Sequence, residues 1–222
     1  LCTADLHLHS EDDVSAESAK DRMDRNDVEW AGAGAKHGFR TQWEAYRSLL
    51  GGKFIAFAGQ NELNKVYFDA RDAALENSPN AGNLFLRAAG EADMADATNP
   101  GIVALVAQAE LDFQAGRIKG IGEIFVNNMR SHPDLEFKRK INPDAASMQL
   151  LYDLAAQYDG FLTVHMHADD DDVNDSVAGL KSLLQRPGGR ILWNHCGSDT
   201  TADDVRPLLT DYDNLFCELS FR

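Results

Sequence analysis

Two histidines separated by one residue, His7 and His9, lie near the start of the chain in the segment Asp5-Leu6-His7-Leu8-His9. Side chains alternate between the two faces of a β-strand, so in a strand both imidazoles point to the same side. Two imidazoles on one side can bind one divalent cation, zinc most readily. Taken alone the pair is weak evidence, because two solvent-facing or hydrogen-bonded histidines give the same pattern.

Further residues of the kinds that bind metals follow near the ends of later apolar segments. Glu123 lies in one such segment, His165 ends another with His167 two residues beyond, and His195 ends a third. His165 and His167 share one face by the same spacing argument, so either could be the ligand. We favour His165, because it directly ends its apolar run. The other two histidines, which fall in predicted loops, are assigned no role.

These segments alternate with predicted helices. Runs typical of strands lie near residues 4, 28, 54, 118, 161, 190 and 214. Alternation of strand and helix predicts parallel strands joined by crossover helices. We therefore expect an α/β protein of the (β/α)8 TIM-barrel type that ends after strand seven, with an open doubly wound sheet as the alternative. A single domain should cover residues 1–222, with an insertion or a long loop around 65–100, where the pattern is least regular.

The barrel prediction matters for chemistry, because the catalytic groups of such barrels lie at the C-terminal ends of the strands. Closing the barrel would bring five of the seven histidines to one mouth. Gln60 and Asn61 follow the third predicted strand, and Asn127 and Asn194 end later ones. These four amides are candidates for the substrate pocket.

Four motifs, in order and spacing over nearly the whole chain, resemble those of the amidohydrolase superfamily, in its amidohydrolase-related branch of TIM-barrel hydrolases. That branch includes decarboxylases, hydratases and lactonases. The motifs are Asp5-Leu6-His7-Leu8-His9, Lys119-Gly-Ile-Gly-Glu123, Val164-His165-Met-His167-Ala-Asp169 and Asn194-His195-Cys-Gly197.

The resemblance implies a metal-dependent enzyme with zinc, or alternatively manganese or iron, at one or two positions. It implies that His7, His9 and His165, or His167 in place of His165, bind the metal. His195 would be a further ligand or would polarise the substrate, and Glu123 would bind or bridge metals. Glu123 and His195 are therefore also the candidate catalytic residues.

One family feature has no counterpart here. The family carries an aspartate on strand eight that binds metal and transfers protons, whereas this sequence ends at Arg222, just after the seventh predicted strand. Either the sequence is truncated at its C-terminus or the protein lacks this aspartate, and Glu123 or His195 would then have to move the proton. A barrel of seven strands leaves two open edges, which a second copy in a homo-oligomer could cover.

Composition restricts the partners. The net charge is −15 and the isoelectric point is near 4.7, which disfavours nucleic acid and anionic lipid and leaves a small-molecule substrate. No apolar run approaches the ~20 residues that a membrane span needs. Three cysteines without a CxxC motif fit a reducing compartment, so we expect a cytoplasmic protein. Because the sequence starts at Leu1, a processed N-terminus or a periplasmic location stays open.

The expected function is hydrolysis of a C–N, ester, lactone or similar bond of a small molecule by a metal-activated water. Three alternatives remain at this point. They are a metal-dependent decarboxylase or other lyase of the same fold, a metal-dependent phosphodiesterase, and a metal-binding barrel without catalytic activity. The net charge and the lack of recognised Lys/Arg clusters beside the motifs count against the phosphodiesterase.

Overall fold

The computed structural model describes residues 4–5, 15–33, 39–130, 134–168, 173–197 and 200–219. The strands are β1 (Ala4–Asp5), β2 (Trp30–Ala33), β3 (Phe54–Gly59), β4 (Gly120–Asn127), β5 (Phe161–Met166), β6 (Arg190–Asn194) and β7 (Leu215–Cys217). The helices are α1 (Ala16–Arg25), α2 (Phe39–Leu50), α3 (Gln60–Asn77), α4 (Asn83–Ala95), α5 (Pro100–Gln114), α6 (Ala146–Gln157), α7 (Val173–Leu184) and α8 (Ala202–Asp211).

The seven strands form one sheet in the order of the chain, from β1 to β7, and every neighbouring pair is parallel. Parallel strands in sequential order, joined by right-handed crossovers, place their helices on the same face of the sheet. The carboxyl ends of all strands meet at one edge. Polar residues that end different strands are therefore brought together, as the sequence predicts.

The sheet is curled but open, so the prediction of a (β/α)8 barrel was wrong. In a closed barrel of eight strands the first and the last strand pair with each other, and the strands are tilted by about 36°. In the described part of the chain β1 pairs only with β2, and β7 only with β6. The doubly wound alternative also fails, since such sheets reverse their strand order at a switch point and this order never reverses.

Alternation along β5 shows how the sequence separates core from site. Leu162, Val164 and Met166 are at most 1% exposed and belong to the main apolar core. Thr163 and His165 occupy the positions between them and therefore project from the opposite face of the strand.

Helices fill the segment around 65–100, which the sequence predicts to be an insertion or a long loop. α3 and α4 cover most of it, and α5 follows directly, so three helices connect β3 to β4. In the residues that the structure describes, each of the other crossovers contains one α-helix. The segment is therefore not a long loop, whereas the insertion stays a prediction. None of the helices in the described ranges is long and apolar enough to cross a membrane.

A β-bulge in β4 lies where this strand meets β5. Ile121 pairs with Leu162 and Ile124 pairs with Val164, so two residues of β4, Gly122 and Glu123, lie opposite one residue of β5. Bulges of this kind redirect a side chain and are common beside active sites. Gly122 has a φ of +134°, and a Cβ atom added there would lie 2.4 Å from the carbonyl oxygen of Thr163. The bulge therefore requires glycine at this position.

We expect Gly122→Ala to lower the free energy of unfolding by at least about 2 kcal/mol, because the added methyl group overlaps backbone of β5 and strains a positive φ. Urea denaturation measures the change. Gly52→Ala is the matched control, since a Cβ atom at Gly52 meets nothing within 4 Å. Equal stability of the two variants would contradict the role assigned to Gly122.

Candidate metal centre

Three buried side chains converge at the carboxyl edge of the sheet. Glu123 lies in the bulge of β4, His165 lies near the end of β5, and His195 is the first residue after β6. Their exposed fractions are 3%, 6% and 6%, so solvent contributes little to stabilising their charges. One carboxylate oxygen and one nitrogen from each ring lie within 4.8 Å of one another, which is the arrangement of a group that can hold a metal ion.

Glu123 is the centre of this group. Its Oε1 lies 3.0 Å from His165 Nδ1 and 3.6 Å from His195 Nε2. The two imidazole rings meet edge to face, with centroids 5.1 Å apart. A bound cation or a protonated histidine is one way to stabilise a buried carboxylate, and hydrogen-bond donors such as an amide are another.

His167 extends the group on the side away from Glu123. Its Nε2 lies 3.3 Å from His165 Nε2, and the residue is 3% exposed. Two nitrogen ligands of a tetrahedral zinc ion lie about 3.4 Å apart, given Zn–N bonds of about 2.0–2.1 Å. The spacing of the two rings therefore fits a shared cation as well as an N–H···N hydrogen bond. Both histidines of β5 face the site, and His165 is the one in contact with Glu123.

Gln60, directly after the third strand, contacts the carboxylate of Glu123. Strand β3 ends at Gly59, whose φ of +110° turns the chain directly into α3. Gln60 is thereby placed at the first position of that helix, 3% exposed, and its Nε2 donates a long hydrogen bond of 3.5 Å to Glu123 Oε2. The structure thus brings Gln60 to Glu123, whereas its role in a substrate pocket stays a prediction. Asn61 is the next residue of α3 and is partly buried.

The two asparagines selected as pocket candidates have different environments. Asn127 donates to the carbonyl oxygen of His167 at 3.1 Å and to Ser176 Oγ at 3.3 Å, so it ties β4 to the end of β5. Asn194 is 2% exposed and immediately precedes His195. Its Oδ1 has no hydrogen-bond partner within the described ranges.

Glu218 is a site residue that the sequence analysis missed. It follows β7, and its carboxylate accepts a hydrogen bond of 3.3 Å from the backbone N–H of His195 and lies 3.6 Å from His195 Nδ1. His195 therefore has one carboxylate near each ring nitrogen. A carboxylate beside one ring nitrogen sets which nitrogen carries the proton. The signal in the sequence was weak, because an acidic residue after a short strand is usually solvated.

A disulfide bond between Cys196 and Cys217 joins the residues next to His195 and Glu218. The expectation of unpaired cysteines was therefore wrong for these two. The bond crosses from β6 to β7 with a Cα–Cα distance of 5.0 Å, and it holds the histidine and the carboxylate in register. Cys196 is accordingly neither a nucleophile nor a packing residue alone.

Some predicted ligands lie outside the described residues. They are His7 and His9. Strand β1 ends at Asp5, and its partner β2 belongs to the same sheet as β3 and β4. Metal binding by His7 and His9 therefore stays a prediction from the sequence.

Comparisons of the chain with protein-family models, with curated proteins and with solved structures find no match. The resemblance to the amidohydrolase superfamily therefore stays an expectation that depends on the four motifs.

We expect the double variant Cys196→Ser/Cys217→Ser to lose about 3 kcal/mol of unfolding free energy, because the bond closes a loop of 21 residues. Thiol titration of denatured protein should reveal two additional thiols after reduction. A double variant as stable as the wild type, or no gain of thiols on reduction, would contradict the disulfide.

Proposed function

We propose that this protein is a metal-dependent hydrolase whose divalent cation is held by Glu123, His165 and His195. The observation that carries the proposal is the convergence of three ligand atoms within 4.8 Å in a buried position at the carboxyl edge of the sheet. Polar groups in such a position are expensive to desolvate, and clusters of this kind are concentrated at functional sites.

The donor set favours zinc, with manganese and iron as alternatives. One carboxylate oxygen and imidazole nitrogens are ligands that these ions share, whereas calcium and magnesium prefer oxygen alone. His167 is a further ligand or supports His165 from the side. His7 and His9 are further ligands that the resemblance of the sequence motifs implies.

When bound, such a cation lowers the pKa of a coordinated water and polarises a carbonyl oxygen. The residues of the chain supply the remaining functions. Glu218 near His195 Nδ1 favours the tautomer whose unprotonated Nε2 faces the site, and that nitrogen can bind the cation. Gln60 and the β4 bulge hold the Glu123 carboxylate between the two rings.

We expect the wild-type chain to retain about one zinc or manganese ion after incubation and dialysis, measured by elemental analysis. Glu123→Gln, His165→Asn and His195→Asn should each weaken metal affinity at least about tenfold, since each removes a ligand. Circular dichroism spectra will verify that the variants are folded.

Glu110→Gln is the matched control, because Glu110 lies in α5 and contacts Tyr158, not the histidines. A wild-type chain without stoichiometric metal would contradict the proposal, and so would a Glu123→Gln variant that binds metal as the wild type does. The pair His7→Asn/His9→Asn tests the predicted ligands separately, and unchanged affinity would exclude both histidines from the site.

Hydrolysis and decarboxylation can be separated with labelled water. In a screen of amides, esters, lactones and aromatic carboxylates, we expect a hydrolysed product that gains one oxygen atom from H2(18)O, detected by mass spectrometry. Activity should disappear with a chelator and return with zinc or manganese. Release of carbon dioxide without label in the product would identify the lyase instead.

A further inference from the structure

Arg139 is a buried cation next to the proposed metal centre. It is 1% exposed, and its Nε and Nη1 have no hydrogen-bond partner in the part of the chain that the structure describes. Buried polar groups are nearly always hydrogen-bonded, because a buried N–H without an acceptor has lost its hydrogen bonds to water. The burial of an arginine with several unpaired N–H groups therefore needs an explanation.

Aromatic rings surround this guanidinium and account for part of its stability. Its Cζ lies 4.6 Å from the ring centroid of Tyr67, 5.0 Å from that of Phe125 and 5.8 Å from that of Phe68. Cation–π contacts of this kind stabilise the positive charge. They provide no acceptor for the N–H groups, which lie in the plane of the guanidinium.

A second arginine on the same rings increases the electrostatic strain. Arg71 lies 5.6 Å from the centroid of Tyr67, yet its nitrogens donate to the carbonyl oxygen of Glu136 and to Asn83 Oδ1. Burial and, to a smaller extent, the charge of Arg71 lower the pKa of Arg139 to about 10, so the side chain is still charged at neutral pH. The charge of Glu91 offsets part of this repulsion and raises the pKa of Arg139.

Phe125 separates Arg139 from the metal centre. Its ring centroid lies 5.1 Å from that of His165, and the residue is partly exposed. Phe125 therefore contacts both the guanidinium and the ring of a proposed metal ligand. Arg139 is held there because the N–H of Asn128, just past β4, donates to its carbonyl oxygen at 2.9 Å.

The local charge contrasts with that of the whole chain. Arg139 lies between Lys138 and Lys140, so three consecutive residues are basic in a protein of net charge −15. Lys140 also forms a β-bridge with Asn127 at the end of β4, which fixes this basic segment at the same edge of the sheet as the proposed ligands. A basic cluster at this position attracts anions to one place in a field that otherwise repels them.

We propose that Arg139 binds an oxyanion group of the substrate, a carboxylate or a phosphate, beside the metal centre. The inference deepens the proposed function and rests on it, since it assigns the substrate class of the same site. Arginine is suited to this task because its planar fork of donors matches carboxylate and phosphate oxygens.

The test uses calorimetric titration of the full-length chain, with and without zinc, and four probes. Acetate and benzoate test for a carboxylate, and inorganic phosphate and phenyl phosphate test for a phosphate. We expect at least one probe to bind the zinc-free protein and to bind at least tenfold more weakly to Arg139→Met. Arg139→Lys, which keeps the charge but not the fork, should bind it with intermediate affinity.

Arg190→Met is the matched control, because Arg190 lies 4.7 Å from the Phe161 ring centroid and is paired with Asp159 at the amino end of β6. It should bind the probe as the wild type does. The inference is overturned if no probe binds the zinc-free wild type, or if Arg139→Met and Arg139→Lys bind it with unchanged affinity. Zinc binding in the same samples separates the two proposals, since an intact metal site without probe binding overturns the anion site alone.

Stability gives a second readout. If Arg139 is retained for binding, its replacement by methionine removes unpaired buried N–H groups, and the midpoint of urea denaturation should stay the same or rise. If the arginine is purely structural, the loss of its ring contacts should lower the midpoint, and that result would count against the inference.

Discussion

The extra residue in β4 is the constraint on which the candidate site depends. Because Gly122 and Glu123 together lie opposite one residue of β5, the strand is bent at the point where Glu123 must reach the histidines. Without the bulge, strict alternation would place Glu123 on the same face of the strand as Ile121, two residues before it. Glycine makes the close approach to Thr163 feasible, and the carboxylate reaches His165 at 3.0 Å as a result.

The resulting cluster is difficult to explain as a source of stability. Glu123, His165, His167 and His195 are all at least 94% buried, and each loses most of its contact with solvent. Buried ionic groups of this kind contribute little net stability compared with apolar residues of similar size. The disulfide beside His195 and the bulge beside Glu123 are therefore best understood as supports for an arrangement that would otherwise be unfavourable.

The sequence predicted the parts of the fold that local pattern determines. The apolar runs of β5 and β6 and the helices between them follow from short-range periodicity, and the order of strands follows from their alternation. It could not predict closure, because whether edge strands pair is a long-range property of the whole sheet. Pairing of β6 with β7 likewise places Cys196 beside Cys217 and Glu218 beside His195, although 21 residues separate the cysteines. Similarly, Lys138-Arg139-Lys140 looks like a solvated basic stretch in the sequence, and only its docking against Tyr67 and the end of β4 buries the middle residue.

The proposed metal centre and Arg139 restrict the substrate more together than either does alone. Phe125 contacts both, with its ring centroid 5.0 Å from Arg139 Cζ and 5.1 Å from the His165 centroid, so a molecule that engages both would also lie against this aromatic side chain. The basic segment also removes the objection to an anionic substrate that the net charge raised, because a local cation cluster can reverse the sign of the potential over a few ångströms. It does not restore general nucleic-acid binding, which the net charge of −15 disfavours. The combination favours a small organic anion over a neutral amide or a polymer.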